Sequence, residues 1–404
     1  MAVTLAPHGA QATHGGTRAL VLAALVLSQF LALGSFFVAG VRLQFADTLW
    51  LATAAVLATL LKPGNLRRVP ARIWKVTAAF LAALTLALVA APGLAHGIKY
   101  AGYLALMATL TLTLAAALRA DTASHVPNVI RGLLWIHLAT NAGGALLGLA
   151  GVPDYGSVLF QGAFYLPVVR SVGFTDHPDR SALVYLVLYG LFVLNWRTNS
   201  RPADNILGWM TPFAALLTLA PASVLVFVLI SLKCFENARN RSTRTASTAL
   251  AISAIAAMLL LSFVAPVRDG AGGWSLIPAP RAIIQASALP TVAAAPLIGH
   301  GLAHLGATRF STGYPPTVVY RPTEPHSAYL DLLATGGLVL LASWLGLYGI
   351  LAWGAGRTWA GVCAVWLLAG VVHSINDERI VYAGLGLGAA LALGQRRHAL
   401  TADG

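Results

Sequence analysis

Apolar runs dominate this chain, about twelve of them, each long enough or nearly long enough to cross a lipid bilayer. A hydrocarbon core about 30 Å thick takes roughly 20 apolar residues per helix. By that measure spans fall near 19–39, 46–61, 74–91, 100–118, 132–151, 181–196, 206–219, 222–233, 247–265, 327–350, 358–372 and 380–394. The segments at 46–61, 206–219 and 222–233 are short for a full crossing. With 58% hydrophobic and 10% charged residues among 404, the chain is far more apolar than a soluble domain. The expected fold class is therefore all-α, a polytopic membrane helix bundle.

Basic residues in the connections set the orientation, because Lys and Arg are retained on the cytoplasmic side. An inside N-terminus gathers Lys62, Arg67, Arg68, Arg72 and Lys75, then Arg119, Arg131, Arg197 and Arg201, on that side. The cluster Lys233, Arg239, Arg241 and Arg244 joins them, as do Arg357, Arg396 and Arg397. Both termini are then expected inside. The net charge of +13 is thus largely a topology signal. It lies in short scattered loops, with no continuous basic stripe or aromatic platform, which argues against a nucleic-acid partner. Cys234 and Cys363 are too far apart in this topology to pair, and no CxxC metal motif is present. The first span is too long for a signal peptide, has no cleavage site before it, and is expected to be retained.

Two outer connections stand out. One runs from about Gly151 to Arg180; the other, about Pro266 to Pro325, holds an expected short helix from Arg281, because Pro280 suits a helix start. The organisation is then nine spans in 1–265 with an outer loop near 152–180, a loop region at 266–325, and three spans with a tail in 326–404. Long loops without a domain of their own are usually functional.

The second loop ends at "RPTEPHSAYLDLLATGGLVLL", where a proline-broken polar stretch meets an apolar helix. His326 stands at that seam, with Glu324 before it and Asp331 five residues on; Tyr329 reads as packing or an interfacial anchor. An imidazole beside a carboxylate suits taking a proton from a hydroxyl near neutral pH, although a lone histidine at a membrane edge also serves as a simple helix cap. The outer face also carries Arg170, Arg180, Arg268, Arg281, Arg309 and Arg321, where the positive-inside rule disfavours them. Guanidinium groups bind phosphate by paired hydrogen bonds. A membrane-level site for a lipid phosphate or diphosphate follows, with Arg281 and Arg170 the leading candidates; Arg309 and Arg321 also suit plain contact with head groups. Asp176 and Asp179 around His177, and Asp377 with Glu378, are faint signals for a divalent ion. No DxD, HExxH, Walker or GxGxxG motif appears in context, so the expected chemistry uses no metal, cofactor or ATP.

"HSAYLDLLATGGLVLL" resembles the histidine motif of the O-antigen ligase and polymerase superfamily. "RSVGFTDHPDRSA" resembles its Arg, Gly, aromatic, Pro signature, and "PRAIIQASALPTVAAAPLIGHG" its Arg-led amphipathic loop helix. The likeness covers the chain from about 150 onward. It departs at "LAPAS", Leu219 to Ser223, where family members often carry a Ser-Arg pair that binds phosphate. Another outer arginine, such as Arg180 or Arg42, is a candidate for that place. The resemblance implies a GT-C-like glycosyltransferase on the periplasmic face of a Gram-negative inner membrane, with both termini cytoplasmic. Its donor would be a glycan on undecaprenyl diphosphate, and its acceptor a lipid A-core sugar hydroxyl. His326 would be the base, oriented by Asp331 or Glu324, and Arg281, Arg170, Arg180 and Arg321 would hold the diphosphate. A polymerase, whose acceptor is another lipid-linked repeat unit, is the nearest alternative, followed by other lipid-linked oligosaccharide transferases. A membrane transporter is the alternative of another class, although transporters place ionisable groups near the midplane of their spans.

Overall fold

The computed structural model describes residues 24, 35–38, 41–44, 52, 55–56, 71–91, 126–152, 157–161, 167–175, 177–196, 201–268, 274–302, 325–353 and 356–402. The chain is mostly helical. The α-helices are α1 (Ala71–Val89), α2 (Val126–Leu149), α3 (Pro178–Asn195), α4 (Pro202–Ala215), α5 (Val226–Asn237), α6 (Arg241–Phe263), α7 (Pro280–Ala294), α8 (Ala328–Ala352), α9 (Arg357–Ala369) and α10 (Arg379–Ala402). Among the described residues α1, α2, α6 and α8 are long and apolar enough to cross a membrane, and the chain is a helical membrane protein.

Each predicted span from 132 onward, and that at 74–91, coincides with one of these helices, and α7 occupies the short helix expected after Pro280. The spans predicted near 19–39, 46–61 and 100–118 lie almost wholly outside the described residues. α4 and α5 are short, 14 and 12 residues, or about 21 and 18 Å of α-helix. Each is extended by a 3-10 turn, Leu216–Thr218 and Pro221–Leu225, around Leu219 in the left-handed region.

Strands are the element the hydrophobic pattern does not announce. Antiparallel hairpins form from β1 (Ser35–Val38) with β2 (Val41–Gln44), β3 (Ser157–Gln161) with β4 (Pro167–Ser171), and β5 (Val264–Arg268) with β6 (Trp274–Pro278). β1 takes the end of the first predicted span. Its residues, "SFFV", favour a pleated strand, and only Ala39 and Gly40 separate it from β2 in sequence, a length and residue type suited to a hairpin. β5 likewise begins where α6 stops, at Val264.

α3 is the buried centre, with nearly every residue from Pro178 to Val193 shielded. α2, α5, α9 and α10 pack around it, while α1 lies along α8 and α6 along α5. Small residues permit the close approaches, as bundles in lipid require: a Cβ on Gly384 would fall 2.6 Å from Val187 Cγ1 and 2.8 Å from the Trp366 ring. Large apolar side chains such as Trp74, Leu147, Trp209 and Phe213 face outward.

α8 is broken at Gly337 (φ 62°, ψ −161°). The interrupted amides are satisfied by the turn after α7: Leu338 N–H donates to Pro296 O at 2.8 Å and Val339 N–H to Leu297 O at 3.2 Å. In return His300 and Gly301 N–H donate to Ala334 O and Thr335 O, both at 2.9 Å. The Gly-rich "LIGHG" turn is therefore a backbone clasp across a discontinuous helix.

Candidate active site

The connections after α2, α4, α6, α7 and α9 meet at one end of the bundle, and the charges of the sequence motifs meet with them. Arg170 stands near the end of β4, opposite Val158 in the register. Its Nε donates to Thr218 O at 3.0 Å and its Nη2 to Asp179 Oδ1 at 2.9 Å. Arg281, in the first turn of α7, donates from Nη2 to the other oxygen, Asp179 Oδ2, at 2.8 Å. One carboxylate therefore holds two guanidinium groups. The side chains are 8% (Asp179), 12% (Arg170) and 16% (Arg281) exposed, so water screens them little. Thr218 closes the 3-10 turn just ahead of "LAPAS", Leu219 to Ser223, and receives Arg170 through its backbone carbonyl.

Asp179 sits in the first turn of α3, where a carboxylate complements the helix dipole. Pro178 opens the helix, and His177 caps it by accepting from Asp179 N–H at 3.2 Å. Burial raises the Asp179 pKa, but Arg281, His373, Arg170 and His177 outweigh it and hold the carboxyl well below the usual carboxylate range. Beneath the pair lies a buried polar network. Ser171 Oγ donates to Asn141 O at 2.8 Å, Ser181 Oγ to Asn141 Oδ1 at 2.8 Å, and His137 Nε2 lies 3.0 Å from Ser181 O. It ties α2 to the residue after Arg170 and to α3 two residues after Asp179.

His326 lies just ahead of α8, in the left-handed region with φ 50°. Its ring is partly buried beside this cluster. Burial first, then the positive fields of Arg281, His373 and His177, lower its pKa from 6.5 to about 4, with Asp179 opposing. The imidazole is thus neutral at pH 7 and able to accept a proton.

A second ion cluster adjoins the first. Arg180 Nε donates to Glu378 Oε1 at 3.0 Å, and His373 Nε2 lies 3.5 Å from the same oxygen. Burial raises Glu378, and His373 and Arg180 more than offset it, keeping the carboxyl low. The "HPD" and "HSINDER" motifs, separated by about two hundred residues, thus supply the two carboxylates of one site.

The expected residues divide as follows. His326, Arg281 and Arg170 come together. Arg180 is adjacent but committed to Glu378. Asp331, expected to orient His326, has its Oδ2 hydrogen-bonded by Asn376 Nδ2 at 2.6 Å; the carboxylate whose charge acts on the His326 ring is Asp179. Glu324, Arg309 and Arg321 lie outside the described residues. Asp179, Glu378 and His373 are members the motif reading did not place here. The signal for Asp179 was an acidic residue in the first turn of a span, close in sequence to Arg170.

The fold defines the class: a mostly helical membrane protein with a charged, partly buried site at one end of the bundle. No family model matches the chain, and no curated protein matches it.

Proposed function

We propose that the chain is a membrane glycosyltransferase of the O-antigen ligase kind, moving a glycan from undecaprenyl diphosphate to a sugar hydroxyl of the lipid A-core. In this reading the bundle has about twelve spans in a GT-C-like arrangement. It lies in a Gram-negative inner membrane with both termini cytoplasmic and the site on the periplasmic face. The observation that carries it is the pair Arg170 and Arg281, gathered on Asp179 beside a neutral His326.

His326 takes the proton of the acceptor hydroxyl as that oxygen attacks the anomeric carbon. The bond to the lipid diphosphate breaks with its electron pair leaving on the diphosphate, and the centre inverts. Arg170 and Arg281 meet the charge that develops there, an effect worth about 3 kcal/mol per well-placed group. Arg281 Nε is buried with no hydrogen-bond partner among the described residues, a donor that a phosphate oxygen would satisfy. Asp179 keeps the two guanidinium groups oriented and limits their mutual repulsion before the donor arrives. Arginines here take the part that a divalent ion plays in other phosphate chemistry.

Mixing the purified protein with lipid-linked glycan and lipid A-core, without ATP, tests this. Modified lipopolysaccharide is the expected product. Elongation of the lipid-linked glycan alone would reassign the chain as a polymerase, and neither product would remove the transferase reading.

A further inference from the structure

His326 bears a side chain yet occupies the left-handed region, φ 50°, a conformation that needs support from its surroundings. The support comes from Gln285. Its Nε2 donates to His326 O at 3.2 Å and to Val371 O at 2.9 Å, so both amide hydrogens are committed to backbone carbonyls. The same turn is sewn down by Ala328 N–H, which donates to Gly370 O at 2.8 Å and to His373 O at 3.3 Å. Gln285 follows Arg281 by four residues, which puts the two on one face of α7. The far end of α7 is fastened to α8 by the clasp around Gly337. The helix that carries the guanidinium is therefore anchored to the imidazole's own chain segment at both ends.

We propose that Gln285 is a positioning residue of this site: its carboxamide holds the His326 backbone in its left-handed turn and so sets the ring against the Arg281 guanidinium. The inference rests on the reading of His326 as the proton acceptor. The residue type follows from the geometry. Two donors are needed at the end of a three-atom reach; Met has the length without the donors, Asn the donors without the length, and ionised Glu has only acceptors.

The test uses the full-length protein in detergent, with ring-labelled histidine and the His326 resonance assigned by its loss in His326→Gln. In the wild type the ring is expected to titrate at about 4, with Arg281 on α7, His373 on the turn after α9, and Asp179 and His177 at the start of α3 facing it. In Gln285→Met the midpoint moves up toward 6.5 as the ring leaves its seat. Glycan transfer falls between about tenfold and a hundredfold in kcat, with little change in KM for the donor. An unshifted His326 titration in Gln285→Met overturns the proposal. Should that variant fail to fold, Gln285→Asn, which withdraws the amide by one methylene, is read in the same way. The titration needs no donor. A wild type that titrates as stated but transfers no glycan therefore sinks the transferase reading and leaves the role of Gln285 in holding His326 standing.

Discussion

Arg281 reaches Asp179 across 102 residues of sequence, donating to Oδ2 at 2.8 Å, and so pins the start of α7 to the start of α3. Because Asp179 also holds Arg170, the contact is a structural keystone as well as a candidate binding device. Removing its charge leaves two buried guanidinium groups facing each other.

Asp179→Ala should therefore destabilise the protein by about 3 kcal/mol or more, the usual consequence of stranding a buried charge. Asp179→Asn, which keeps one acceptor, should cost less. Thermal unfolding in detergent compares the two; equal melting temperatures for wild type and Asp179→Ala would contradict the bridging role.

Acid should weaken the fold, and Asp179 and His326 act in the same direction there. Asp179 is held below its ordinary value of 3.8, so its stabilisation is present above that pH and is lost as pH falls toward the folded value. His326 falls from 6.5 to about 4, so between those values the unfolded chain binds more protons and stability declines as pH drops. His326→Gln should flatten the decline between pH 6.5 and 4. Unfolding measured at several pH values decides it.

Donor binding should retune the base. A diphosphate near Arg281 brings negative charge to the His326 ring and favours its protonated form. The acid limb of kcat, which reports the bound complex, should then lie at higher pH than the limb of kcat/KM, which reports free enzyme. Coincident limbs would place the diphosphate away from the ring.

The clasp across α8 gives a paired test. Gly337→Ala puts a Cβ at positive φ, 2.3 Å from the Leu297 backbone, and should cost folded yield. Gly349→Ala, on the same helix with open space at its Cβ, should be neutral or slightly stabilising. Size-exclusion profiles of the two variants provide the comparison.

Much of the helical framework was legible because apolar runs of span length have few other uses. The hairpins were not. "SVLFQ" and "PVVRS" are too short to show a period inside a long loop, and "VAPVR" continues the apolar run of α6 without a break. At the site, His326, Arg170 and Arg281 could be chosen from residue type and expected side of the membrane. Their common partner was legible only in part: Asp179 lies close to Arg170 in sequence, but nothing local to it indicates that Arg281, 102 residues away, will reach it. Sequence proximity did not reveal the Asn376 partner of Asp331. Five residues from His326, it lies in α8 proper, while His326 stands outside the helix in a left-handed turn, and Asn376 takes the carboxylate.

The most direct measurement is the rate of glycan transfer from undecaprenyl diphosphate to lipid A-core by the purified wild type, His326→Ala and Arg281→Ala, each checked for folding. The account predicts transfer by the wild type and losses of at least about a hundredfold in both folded variants. Transfer by His326→Ala at a rate near the wild type's would contradict it.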